Sequence, residues 1–60
     1  MNAETPTLLS PKAVMAKTSL SRATIDRLRA AGDFPQAVRV SPGRIAFRAN
    51  EVAAWLEARL

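Results

Sequence analysis

Two serines set the outline of this chain. Ser10 is followed by Pro11, and Ser21 opens the run Arg22-Ala23-Thr24-Ile25. Serine is a preferred helix N-cap, because its hydroxyl accepts from one of the backbone N–H groups that a helix start leaves unpaired. Proline suits the first helical position, where its missing N–H costs nothing. Each serine follows a leucine and has an apolar residue at the fourth helical position, Leu9 with Val14 and Leu20 with Ile25. Such pairs staple a helix entrance. The first helix is therefore expected over about Pro11 to Ala16, with Lys17, Thr18 and Ser19 as the turn. The second starts at Ser21, runs to about Ala31 and stops at Gly32, and Pro35 prevents a restart. Two short helices joined by a short turn form a helix-turn-helix pattern.

The rest of the chain supplies a hairpin and a last helix. Val38 and Val40 alternate with Arg39, and Ile45 and Phe47 alternate with Ala46 and Arg48. Period 2 predicts two strands with the valines, Ile45 and Phe47 on one face. Arg39 and Arg48 then fall on the solvent face. Ser41-Pro42-Gly43-Arg44 makes the turn, with glycine where a positive φ is needed. Asn50 is expected to cap the final helix, with Glu51 at its positive end and Arg59 near its negative end. Val52, Trp55, Leu56 and Leu60 share one helical face and should close the core against Ile25, Leu28 and the hairpin. The expected fold is mainly α with a small β-hairpin, a winged helix-turn-helix in the order helix, turn, helix, hairpin, helix.

Size and composition exclude several functions. The chain has 60 residues, enough for one domain, which is expected over 8–60 behind a loose polar arm at 1–7. At 48% hydrophobic it can build a small core and leaves no room for a deep substrate cleft. It contains no Cys and no His, which removes disulfides, the usual zinc sites and the commonest general base. An enzyme is not expected, nor any cofactor or metal. No apolar run approaches the roughly 20 residues that span a bilayer, and a cytoplasmic, nucleoid-associated protein is the expectation. The net charge is +4, carried mostly by arginine, which suits phosphate and guanine recognition. A basic surface on a small domain is the footprint of a nucleic-acid binder.

The second helix of a helix-turn-helix enters the major groove. At about 100° per residue, Ser21, Ile25, Leu28 and more peripherally Thr24 face inward, while Ala23, Asp26, Arg27 and Ala30 face outward, flanked by Arg22 and Arg29. Ala23 lets the helix approach closely and can touch a thymine methyl, and Arg22 and Arg27 can bond guanine or phosphate. Asp26 can accept from a cytosine amino group or orient an arginine. Thr24 either reaches a phosphate or borders the core. Ser21 is first a cap, with phosphate donation as a second role. The wing adds Arg44 at its tip beside Ser41 and Gly43, with Arg39 and Arg48 as further phosphate contacts. The competing reading is a solvated, salt-bridged helix face and an ordinary turn. Phe47 and Trp55 are expected in the core rather than stacked on bases.

As a set, Leu8-Leu9-Ser10-Pro11, the run Leu20 to Leu28, Gly32-Asp33-Phe34-Pro35, Gly43-Arg44 and Asn50 to Leu56 resemble the AlpA family over about residues 8–60. These are phage and prophage regulators related to the excisionases and to the DNA-binding half of the MerR family. The resemblance implies a winged-helix fold, sequence-specific binding of double-stranded DNA, and a role in transcription control, in excision of an integrated element, or in both. It maps DNA reading onto Ser21, Arg22, Thr24 and Arg27. Three positions depart from the family pattern. Ser19 stands where Gly is usual, and a left-handed conformation there costs serine about 1 kcal/mol. Asp26 stands where Tyr is frequent. Pro42-Gly43-Arg44 replaces Gly-Gly-Arg. The expected partners are duplex DNA and an integrase or RNA polymerase, with the protein a monomer in solution that cooperates on DNA. A protein-interaction adaptor and an RNA-binding protein are the alternatives.

Overall fold

The computed structural model describes residues 7–60. The part of the N-terminal arm over 1–6 lies outside the described residues. The chain forms β1 (Leu8–Leu9), α1 (Pro11–Thr18), α2 (Arg22–Ala30), β2 (Ala37–Ser41), β3 (Arg44–Arg48) and α3 (Ala49–Glu57). It is a winged helix-turn-helix whose hairpin has gained a third strand. The sheet order is β1-β3-β2, all antiparallel, so β3 is central.

Both serine caps form. Ser10 and Ser21 are extended, and their Oγ atoms accept from Ala13 N at 3.1 Å and Thr24 N at 3.2 Å. Helix α1 runs two residues further than its pattern suggested, to Thr18. The Thr18 hydroxyl donates to the Val14 carbonyl at 2.8 Å and accepts from Leu20 N at 3.3 Å, so one side chain closes the helix and begins the turn. The chain then reverses at Ser19, the only described non-glycine residue with positive φ, at 62°. Its N–H donates to the Met15 carbonyl at 2.8 Å, the bond that completes a left-handed helix end. Helix α2 ends in a Schellman motif. Gly32 has φ 79°, Gly32 N–H reaches Arg29 O at 3.0 Å and Asp33 N–H reaches Leu28 O at 2.8 Å.

The core is formed by Val14, Ile25, Phe34, Phe47 and Val52, with Leu9, Met15, Leu20, Leu28, Ala37, Ile45 and Trp55 packed around it. Phe34 was not anticipated there. Its ring meets Phe47 edge-on at 5.7 Å and Trp55 at 4.8 Å. Trp55 Nε1 donates to the Asp33 carbonyl at 2.7 Å, tying α3 to the segment that leaves α2.

Three expectations about the C-terminal half are corrected. First, Ala37 lies opposite Phe47, Val38 opposite Ala46 and Arg39 opposite Ile45. Facing residues share a sheet face, so Ala37 and Arg39, not the valines, stand on the core side. A one-residue difference in register exchanges the faces of a strand. Phe34 packs edge-on against Phe47 on this face, and the small Ala37 stands opposite Phe47. Ala46, expected outward, is 7% exposed, and Val40, expected inward, is 46% exposed at a bulge between Arg39 and Ser41. Second, α3 begins at Ala49 with Arg48 before it and no side-chain cap, so Asn50 is inside the helix. The Ala49 N–H is satisfied by the Thr7 carbonyl at 2.8 Å, which extends the β1–β3 ladder into the helix start. Third, Leu60 is 93% exposed and outside the core. Arg59 follows the helix end, as expected, with its guanidinium 4.2 Å from the Trp55 ring centroid.

Two stability measurements check this packing. Ser19→Gly relieves the left-handed strain and should raise stability by about 1 kcal/mol, or roughly 4–8 °C in Tm for a domain this small. A fall in Tm would show that the serine side chain compensates the strain. Phe34→Ala should cost about 3–5 kcal/mol, comparable with the whole stability of so small a core. Circular dichroism should then show loss of the cooperative thermal transition at ordinary temperature.

Candidate nucleic-acid interface

Helix α2 is positioned from both ends. Ile25 is buried at 2% exposure and Leu28 is half-buried, which turns the opposite face to solvent. Arg22, Ala23, Asp26, Arg27 and Ala30 are all exposed, as the helical period requires. Near its C-terminal end, the Arg29 guanidinium sits 5.5 Å from the Phe47 ring centroid, a cation–π contact that joins α2 to the central strand. Arg29 is thus half-buried and committed to the fold as well as to the helix surface.

The N-terminal turn of α2 carries a small hydroxyl network that sequence reading missed. Ser21 Oγ accepts from Thr24 N and donates to Thr24 Oγ1 at 2.9 Å. Arg27 Nη2 also donates to Thr24 Oγ1, at 3.4 Å. The Ser21 hydroxyl is therefore occupied as a cap. Thr24 accepts two bonds and keeps its own proton to give to an anion. The i, i+3 spacing of Ser21, Thr24 and Arg27 was the available signal. On the outer face, Asp26 Oδ1 is 3.4 Å from Arg22 Nε and 3.6 Å from Arg29 Nη1. Arg22 and Arg29 thus share one carboxylate oxygen, while Arg27 leans towards Thr24.

The wing residues divide between two faces. Arg44 and Arg48 stand on one side of β3, with Ser41 opposite Arg44. Arg39 lies opposite Ile45, on the core-side face where the strand passes the end of the core. All are exposed, so the expectation of exposure holds, and the expectation that Arg39 and Arg48 share one face does not. Arg48 also stands 3.8 Å from Glu51 of α3. Gly43 has φ 78°, while a Cβ built there would meet nothing, so backbone conformation alone explains the glycine. Among the described residues no group of metal-ligating side chains is present, and no helix is long and apolar enough to cross a membrane.

This arrangement defines a winged helix-turn-helix protein with an arginine-bearing second helix and a basic hairpin. Residues 7–60 match the family described as prophage CP4-57 regulatory protein (AlpA), and the chain belongs to that family of phage regulators. No curated protein matches it.

The hydroxyl network carries its own test. Ser21→Ala should destabilise the domain by about 1 kcal/mol, and Ser21→Asp should retain most of that stability because aspartate also caps. Denaturant midpoints check both. Equal midpoints for wild type and Ser21→Ala would remove the cap from the account.

Proposed function

We propose that the chain is a sequence-specific double-stranded DNA-binding protein that acts as a transcriptional regulator, as an excisionase, or as both, for a phage or integrated element. The exposed basic face of α2 carries this reading. Arg22, Ala23, Asp26 and Arg27 project from a helix fixed by a buried Ile25 and a serine cap. In this reading α2 enters the major groove, Ala23 permits close approach, and Arg22 and Arg27 contact bases or phosphate. The Thr24 proton and the positive end of α2 receive a phosphate. Ser41, Gly43 and Arg44 bring the wing tip to the backbone, and Arg48 and Arg39 add weaker phosphate contacts.

The distribution of apolar side chains argues against an adaptor. Among the described residues the exposed large hydrophobics are Leu8, Val40 and Leu60, and they sit on one sheet edge, the other sheet edge and the C-terminal tail. Scattered single residues do not make a docking patch. The aromatic residues are packed together rather than displayed as a stacking platform for RNA. Binding alone is the mechanism, with no catalysis. A monomer makes few contacts, so neighbouring copies on adjacent sites, an integrase or RNA polymerase supply the remaining specificity. The work is done in the cytoplasm, on the nucleoid.

Fluorescence anisotropy tests this reading with duplex DNA from the chain's own genomic neighbourhood and with scrambled duplex, at about 50 and 200 mM salt. About four or five phosphate contacts predict a slope of log K against log salt near −4. Arg27→Ala should weaken native-site binding by roughly 1–3 kcal/mol, whereas Arg44→Ala should weaken all duplexes alike and reduce the slope by about 1. Equal weak binding to both duplexes, lost at the higher salt, would contradict sequence-specific recognition.

A further inference from the structure

Asp26 stands in the middle of the exposed face of α2, among three arginines. Its Oδ1 is 3.4 Å from Arg22 Nε, one turn earlier, and 3.6 Å from Arg29 Nη1, one turn later. Its Oδ2 accepts no hydrogen bond among the described residues. Asp26 and Arg29 also line a shallow open concavity with Ala30, Pro35 and Gln36, so there is free space beside the carboxylate. Ion pairs this exposed add little to stability. Their effect falls on what the face can bind.

Two physical consequences follow for a helix in the major groove. A carboxylate at the centre of the face opposes approach to phosphate, and it offsets the pull of Arg22 and Arg29 on DNA of any sequence. It is also an acceptor-only group. Guanine O6 and N7 and thymine O4 are acceptors and would be repelled; adenine has an N6 amino donor but sets its own acceptor N7 beside it, whereas the cytosine N4 amino group donates with no ring acceptor of its own at its side. With Oδ1 turned towards two guanidiniums, Oδ2 is left to accept.

We propose that Asp26 is the specificity-determining residue of α2, accepting from a cytosine amino group in the major groove and holding the helix off DNA that lacks one. This rests on the DNA-binding reading above. The effect is discrimination gained by weakening wrong complexes.

The test compares wild type with Asp26→Asn and Asp26→Ala, exposed changes checked for folding by circular dichroism. Wild type and Asp26→Ala are each used to select from duplexes with a randomised centre. All three are then titrated against the wild-type-selected duplex and a scrambled one. The wild-type site should contain a fixed cytosine that Asp26→Ala no longer selects. Both variants should bind scrambled duplex about tenfold tighter, with a comparable loss of discrimination. A specific wild type whose consensus and discrimination survive in Asp26→Ala overturns this inference alone. A wild type that enriches no sequence overturns the DNA-binding reading and this inference with it.

Discussion

Phe47 is the side chain to which the described elements are referred. It is 1% exposed on the central strand, with Leu9 of β1 opposite it on one side and Ala37 of β2 on the other. Phe34 meets its edge, Arg29 lies over its ring, and Val14 and Val52 share its cluster. A domain this small has one core and little stability to spare. One buried ring contacted from every direction therefore fixes how the helix-turn-helix, the wing and α3 sit together. Helix α2 and the hairpin meet through it, because Arg29 comes from the last turn of α2, Phe34 from the segment that leaves α2, and Phe47 from the hairpin.

The turn between α1 and α2 shows how the local backbone serves that arrangement. Thr18 satisfies a carbonyl behind it and an amide ahead of it, and Ser19 adopts a left-handed conformation that glycine would take more cheaply. Val14 before this turn and Leu20 and Ile25 after it all belong to the core or pack against it. Once Ser21 is in place, its hydroxyl both caps α2 and organises Thr24 and Arg27. The same few atoms start the helix and orient the Thr24 and Arg27 side chains.

The parts legible in the sequence were those decided locally. Ser10 and Ser21 announce helix starts through a bond spanning three residues, and Gly32 and Gly43 mark positive φ. The outward set of α2 follows from the helical period once Ile25 is placed inside. The parts that were not legible depend on distant residues. Strand β1 is only two residues long and exists because β3 offers it an edge. The register of β2 places Ala37 rather than a valine opposite Phe47, and the ring that packs on Phe47, Phe34, comes from outside the hairpin. Asn50 is no cap because α3 begins one residue before it, at Ala49, whose N–H bonds to the carbonyl of Thr7, far away in sequence. The pairing of Asp26 with both Arg22 and Arg29 was only partly foreseeable. Spacing allows each pair, but the hold on Arg29 also depends on Phe47 beneath it.

The central claim is that the exposed face of α2 and the wing tip together form the DNA-contacting surface, while α3 serves the core. An amide chemical-shift titration of the labelled protein with its native duplex tests this most directly. Binding in that mode shifts the amides of Arg22 to Arg27 and of Ser41 to Arg44, and leaves the exposed Ala53, Ala54 and Glu57 of α3 unmoved. Shifts confined to α3 or to the β1 edge, with α2 unchanged, would contradict the account.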